Sequence, residues 1–289
     1  MSRIAYVNGR YVPHREATVH IEDRGYQFAD GVYEVIAVRQ GRPVDESWHL
    51  DRLQRSLDEL RMAPAMGRRP LGLVIREVAR RNGVDDGIVY VQMTRGVAPR
   101  NHAFPDNPVT QLVITARRGR PAPAAAFADG VRVITLPDLR WGRCDIKSIA
   151  LLPNVLAKQQ AREAGAFEAW LIDRNGMVTE GTSTNAWIVS REGQLITRHA
   201  DRAILAGITR RALIGLAREA RLALVERPFS AVEAKAAREA FVTSTSQSVV
   251  PVTQIDDQVI GNGKPGTVSL RLRELHAAHV ELGAAGAAG

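Results

Sequence analysis

The stretch Arg140-Trp141-Gly142-Arg143-Cys144-Asp145-Ile146-Lys147-Ser148 decides how the rest of this chain is read. The sequence holds 39 lysines and arginines, yet the lysines are only Lys147, Lys158, Lys235 and Lys264, so arginine carries nearly all the positive charge. A lysine kept in that company points to chemistry that arginine does not offer. An amine can lose its proton, attack as a nucleophile and condense with an aldehyde to a Schiff base, whereas a guanidinium stays charged and unreactive. Lys158 and Lys235 lie in polar, helical patterns and Lys264 in the turn Gly261-Asn262-Gly263-Lys264-Pro265, so these three read as solvated. Lys147 follows the β-like run 131–136 and precedes Ile149-Ala150-Leu151-Leu152, an apolar stretch that would solvate a free ammonium poorly. The competing reading is a lysine that snorkels to water or pairs with Asp145.

Working outward, residues 120–126, Arg120-Pro121-Ala122-Pro123-Ala124-Ala125-Ala126, have too little hydrophobic variety for a core element and read as an interdomain linker. They separate a small N-terminal domain, 1–119, from a larger one, 127–289. In the first, Ile4-Ala5-Tyr6-Val7 and Arg10-Tyr11-Val12 flank Asn8-Gly9 as a hairpin. Asp30-Gly31-Val32-Tyr33-Glu34-Val35-Ile36-Ala37-Val38 reads as a strand with Tyr33 and Val35 on the face opposite Glu34 and Ile36. Leu50, Leu53 and Leu57 set a helix from about Trp48 and put Arg52 and Arg55 off its core stripe. A helix over 70–82 stops at Asn82-Gly83, and strands over 88–94 and 109–116 flank the loop around Pro99-Arg100-Asn101-His102.

In the second domain a helix over 153–164 precedes strands 168–173 and 177–180 around Asn175-Gly176. A strand over 186–190 follows, then a helix opened by Leu205-Ala206-Gly207-Ile208-Thr209 that runs to about Ala220. A late strand, 240–242, ends in Thr243-Ser244-Thr245-Ser246, and the Gly/Ala tail from Gly283 reads as a frayed end. The mixture defines an α/β (α+β) chain.

Hydrophobic content of 45% with 24% charged residues excludes a disordered chain as the default. The opening residues lack the apolar core of a signal peptide and no later run is long enough to span a bilayer, so the expectation is a cytoplasmic protein with no membrane partner. The single cysteine, Cys144, makes neither an internal disulfide nor a metal cluster. A net charge of +8 and a pI near 10.2 raise nucleic-acid binding. Against it, the arginines are scattered, and Glu77 beside Arg76 and four residues before Arg81 marks a solvated face of mixed sign, so no nucleic-acid partner is expected.

Several pieces suit a phosphorylated aldehyde. Gly207-Ile208-Thr209 at a helix start offers unpaired N–H groups and a hydroxyl as a phosphate seat, and Thr243-Ser244-Thr245 offers further hydroxyls; both also read as an ordinary cap and an ordinary turn. Arg52 could supply countercharge. Glu180 precedes Gly181-Thr182-Ser183-Thr184-Asn185, a small polar loop through which a ring could approach the backbone. A carboxylate at about 4 Å from a ring nitrogen, in an effective dielectric near 20, favours its protonated form by on the order of 4 kcal/mol and makes the ring an electron sink. Glu180 could instead merely cap the loop.

Taken in order, Glu22-Asp23-Arg24-Gly25-Tyr26-Gln27-Phe28, Asp30-Gly31-Val32-Tyr33-Glu34-Val35, His49-Leu50-Asp51-Arg52-Leu53, Pro99-Arg100-Asn101-His102, Arg143-Cys144-Asp145-Ile146-Lys147-Ser148, Val178-Thr179-Glu180-Gly181 and Gly207-Ile208-Thr209-Arg210 resemble the class IV, fold-type IV pyridoxal-phosphate transaminases. The resemblance runs from about Tyr6 to Val252 and implies a small N-terminal α/β domain with a larger, β-rich C-terminal domain flanked by helices. It implies that Lys147 forms the Schiff base with pyridoxal 5'-phosphate, that Glu180 pairs with the pyridine nitrogen, and that Arg52, Ile208, Thr209 and Thr245 hold the phosphate. Ser183, Thr184 and Leu205 complete the implied cofactor site.

The substrate carboxylate is assigned, by the same resemblance, to Tyr33 with Arg100 and His102, the last two reaching in from a second subunit of a homodimer. Arg100 with His102 belongs to the D-specific pattern within the family, which implies transfer of an amino group from a D-amino acid to a 2-oxo acid such as 2-oxoglutarate. Branched-chain L-amino-acid transaminase is the alternative, followed by aminodeoxychorismate lyase and (R)-amine transaminase. Thr182 and Thr184 depart from the pattern, standing where serine is expected.

Overall fold

The computed structural model describes residues 3–119 and 124–286. The chain divides into two compact units, one made of Met1–Arg120, Ile146–Ala150 and Val280–Gly289, the other of Pro121–Asp145 and Leu151–His279. The segment carrying Lys147 therefore belongs with the N-terminal unit, although its neighbours on both sides in sequence belong with the other.

In the first unit the elements are β1 (Ile4–Val7), β2 (Arg10–Pro13), α1 (Arg24–Phe28), β3 (Gly31–Arg39), β4 (Arg42–Pro43), α2 (Glu46–Glu59), α3 (Arg68–Arg81), β5 (Gly87–Thr94) and β6 (Gln111–Arg118). The strands form a six-stranded antiparallel sheet in the order β2-β1-β6-β5-β3-β4. Burial alternates along β5 and through Tyr33 to Ile36 of β3, so Tyr33 and Val35 are half-buried while Glu34 and Ile36 are fully buried. The buried face packs on Leu50, Leu53 and Leu57 of α2 and on Leu71, Ile75 and Val78 of α3. That spacing is the stripe of an amphipathic helix laid on a sheet.

The second unit comprises α4 (Ala124–Ala128), β7 (Val131–Pro137), α5 (Leu152–Glu163), β8 (Glu168–Ile172), β9 (Val178–Gly181), β10 (Asn185–Val189), β11 (Leu195–Thr197), α6 (Ile208–Glu219), β12 (Leu224–Glu226), α7 (Ala231–Lys235), β13 (Glu239–Ser244), β14 (Ser248–Ile255) and β15 (Gln258–Val259). The last helix, α8 (Thr267–Gly286), begins in this unit. Its nine-stranded sheet runs β12-β11-β10-β13-β14-β7-β8-β9 with β15 paired to β14. Successive residues of β10 serve opposite faces: Ala186 and Ile188 pack with Val242, Val250 and Phe229, while Trp187 and Val189 pack with Phe241, Leu213 and Leu272. Both faces are covered, so this strand is buried throughout its length.

Several sequence expectations are corrected. Of the proposed linker, residues 120–123 lie outside the described residues, whereas Ala124–Ala128 form α4 with Ala126 buried, since alanine is both the best helix former and small enough to pack. Backbone that reads as a frayed tail from Gly283 continues α8 as far as Gly286. Lys158 and Lys235 are not simply solvated: Lys158 lies 3.4 Å from the buried Glu168 and Lys235 lies 2.7 Å from Asp256. Arg52 lies off the leucine stripe yet is buried, because it meets a carboxylate from β3. The expected Glu77–Arg81 pair forms at 2.7 Å on an exposed face. Among the described residues no helix is long and apolar enough to cross a membrane, and no cluster of side chains could hold a metal ion.

Candidate active site

The Lys147 segment is bonded to the start of β3. The Tyr33 N–H donates to the Lys147 carbonyl at 3.0 Å, the Ile149 N–H donates to the Gly31 carbonyl at 3.1 Å, and Ser148 bridges Val32. The Lys147 N–H in turn donates to Ser56 Oγ of α2 at 3.3 Å. The lysine backbone is thus held from both sides, and its Nζ sits 4.1 Å from the centroid of the Tyr33 ring. Tyr33 stacks on Tyr90, whose phenol burial pushes up to about 12, with Tyr33 adding to the shift. The alternative partner for the lysine, Asp145, instead accepts both arms of Arg143 at 3.0 Å. Cys144 is a poor nucleophile, since burial pushes its thiol up to about 11.

Beneath Tyr33 on the other face of β3 lies a buried charged group. Arg52 donates from Nε to Glu34 Oε1 at 2.7 Å and from Nη2 to Oε2 at 2.8 Å, and His49 Nδ1 lies 2.8 Å from the same Oε2. Burial pushes the Glu34 carboxyl up, but the Arg52 charge and hydrogen bonds, with that from His49, bring it down to about 2. Burial also holds His49 below its ordinary value, against the pull of Glu34. Arg52 therefore presents to any phosphate as a carboxylate-paired guanidinium rather than as a lone cation. Sequence reasoning missed Glu34 and His49 as partners; the alternation in β3 is the signal that could have found them, since it puts a carboxylate on the core face.

Arg100 and His102 are both exposed and lie around one ring: the Arg100 Cζ is 4.6 Å from the Phe28 centroid and the His102 ring 5.4 Å from it. Phe28 closes α1, which is capped by Asp23, whose Oδ1 accepts from the Gly25 N–H at 2.8 Å. A Cβ on Gly25 would come within 2.2 Å of Thr94 Cγ2, so this turn can pass β5 only as glycine.

In the second unit Glu180, near the end of β9, is 6% exposed and held by donors that include a guanidinium, a side-chain amide and a backbone N–H. Oε1 accepts from Arg140, and Oε2 accepts from Asn185 Nδ2 at 3.0 Å and from the Leu205 N–H at 3.1 Å. Arg140 is itself tied to Asp138 at 2.8 Å, and Asn185 also donates to the Leu205 carbonyl at 3.0 Å. Glu180 and Leu205 are thus brought together, with Arg140 and Asn185 as members that the sequence reading did not assign. Ser183 and Thr184 behave differently. Their hydroxyls, with that of Thr182, point to the fully buried Glu168, at 3.2 Å for Ser183 and 3.3 Å for Thr184.

Ile208 and Thr209 open α6, and both are buried. Gly207 caps that helix without a side-chain hydrogen bond, which leaves its first-turn N–H groups to a ligand. A Cβ on Gly207 would lie 2.0 Å from Asn185 Oδ1, so glycine is again required for a close approach. Thr245 stands, half-buried, in the turn after β13.

Residues 31–255 match the family model of amino-transferase class IV, and the chain belongs to that family. It is an aminotransferase that works with pyridoxal phosphate. It is 39% identical over 270 residues to D-alanine aminotransferase of Listeria monocytogenes, covering 93% of each chain, and 42% identical over 262 residues to D-alanine aminotransferase of Bacillus licheniformis, covering 91% of this chain and 92% of that one. Among solved structures it superposes on the T.th. branched-chain amino acid aminotransferase with pyridoxamine 5'-phosphate with a TM-score of 0.88 at 28% identity, covering 97% of this chain and 95% of that one. The residues present fit the cofactor: a primary amine, a buried carboxylate of the kind that pairs with a ring N–H, and a helix start with no side-chain cap.

Proposed function

We propose that this aminotransferase takes the amino group of a D-amino acid such as D-alanine and passes it to a 2-oxo acid such as 2-oxoglutarate, working as a cytoplasmic homodimer with its domain boundary near residue 120. Pyridoxal phosphate, when bound, supplies an electron sink for the charge left at the substrate Cα. Lys147 holds the cofactor through Nζ. When free, its amine would accept the proton that leaves the substrate Cα. The Tyr33 ring keeps that Nζ on one face. Glu180, fixed by Arg140, Asn185 and the Leu205 N–H, favours the protonated ring nitrogen. Ile208 and Thr209 at the start of α6, with Thr245, receive the phosphate, and Arg52 adds charge already balanced by Glu34. Ser183 and Thr184 shape the loop over Glu168 and would contribute backbone rather than hydroxyls.

Handedness follows from where the carboxylate sits, because the Cα–H bond must face the lysine. The observation that carries the D-specific reading is the gathering of Arg100 and His102 around Phe28: a guanidinium fork and a second donor held at one ring suit a carboxylate. The likeness to enzymes called D-alanine aminotransferase supports it. The likeness to a solved branched-chain enzyme favours the second reading, an L-amino-acid transaminase, at lower identity. Offering D-alanine, L-leucine and (R)-1-phenylethylamine as donors with 2-oxoglutarate decides. D-alanine is expected to be turned over fastest, and a preference for L-leucine sinks the proposal.

A further inference from the structure

The loop that carries Arg100 and His102 has neither strand nor helix of its own, so something else must give it shape. Arg24, 3% exposed, does so from α1. Its Nη1 donates to the carbonyls of Asn101 at 2.5 Å and Ala103 at 3.2 Å, and its Nη2 donates to the carbonyl of His102 at 3.3 Å. Its Nε is anchored on Asp30 Oδ2 at 2.8 Å, a carboxylate shared with Arg95, which bonds it at 2.8 Å and 3.0 Å. Arg95 also lies 3.6 Å from the centroid of Phe104, farther along the same loop. Above this buried network the Phe28 ring takes three cationic or donor groups: Arg24 at 4.9 Å, Arg100 at 4.6 Å and the His102 ring at 5.4 Å.

We propose that Arg24 and Phe28 are positioning residues for recognition of the substrate carboxylate. Arg24 sets the backbone of the loop through three consecutive carbonyls. Phe28 sets the directions of Arg100 and His102, since a π-face holds a guanidinium flat against it and spares the rotamer search that an exposed arginine otherwise faces on binding. The inference rests on the reading that Arg100 and His102 grip the carboxylate, and it adds the residues that preset them.

Two conservative variants test it in the holoenzyme. Arg24→Lys keeps a cation for Asp30 and loses the fork to the carbonyls, and Phe28→Leu keeps apolar volume and loses the π-face. Each is expected to raise the KM for D-alanine about tenfold or more with kcat within about twofold. Cofactor absorbance should stay that of the parent in both, and the melting temperature should stay that of the parent in Phe28→Leu. If Arg100→Ala raises KM while Phe28→Leu and Arg24→Lys do not, the inference fails and the carboxylate reading stands. If KM, kcat and melting temperature worsen together, the two residues are structural and the inference also fails. If Arg100→Ala itself leaves KM untouched, the carboxylate reading falls and this inference falls with it. Should Arg24→Lys not fold, Phe28→Leu alone decides.

Discussion

Arg52 and Glu34 meet fork to fork: Nε stands 2.7 Å from Oε1 and Nη2 stands 2.8 Å from Oε2, with the carboxylate wholly buried under the strand that carries Tyr33. A buried pair of this geometry is costly to break from either side, because the survivor keeps its charge without a partner. The phosphate-binding role proposed for Arg52 therefore depends on its pairing with Glu34. Glu34→Gln is expected to cost about 3–5 kcal/mol in urea unfolding at neutral pH. A loss below about 1 kcal/mol would show that the pair contributes little.

The same pair predicts the acid side of the stability profile. Glu34 is depressed from its ordinary 4.5 to about 2 when folded, so its contribution is complete above 4.5 and is lost as pH falls toward 2. His49, also held below its ordinary value, acts in the same direction, because the unfolded chain takes up its proton first as pH drops below roughly 6.5. Urea midpoints should decline from about pH 6 downward. Below about pH 4.5 the Glu34→Gln variant should decline less steeply than the parent; parallel curves would remove Glu34 from the account.

Lys147→Ala should abolish covalent retention of the cofactor. After incubation with pyridoxal phosphate and borohydride reduction, the parent should gain the mass of one pyridoxyl phosphate per chain and the variant none. Turnover of D-alanine should fall by about a thousandfold or more. A labelled and active variant would move the reactive amine elsewhere.

Glu180→Gln removes the charge while keeping the shape, and it leaves Arg140 paired with the Asp138 carboxylate. kcat with D-alanine is expected to drop about a hundredfold, with cofactor still bound and a changed absorbance maximum. An unchanged kcat would mean that ring protonation does not depend on this carboxylate.

Gly25→Ala places a Cβ 2.2 Å from Thr94 Cγ2, an overlap between a turn and a buried strand residue. The expected cost is about 1–3 kcal/mol by thermal or chemical unfolding. Thr94→Ser in the same chain removes that methyl and keeps the hydroxyl that donates to Asp23 at 2.8 Å, so the double variant should recover most of the loss. Failure to recover would show that the glycine serves backbone conformation instead.

Sequence alone singled out the candidate reactive amine, the order of the elements and the faces of β3. A lysine among arginines is visible without coordinates, alternation with a period of two reports which side of a strand is buried, and short motifs keep their order along the chain. Partner choice was decided by the tertiary structure. Helix periodicity says that Arg52 is off the leucine stripe, but only packing brings in Glu34 from 18 residues away to make its burial tolerable. Arg140 reaches Glu180 across 40 positions, and the hydroxyls of Ser183 and Thr184 meet Glu168 from 15 and 16 positions away. Local pattern records whether a residue is apolar; which charge or hydrogen bond satisfies a buried polar group depends on elements that meet only once the chain has folded.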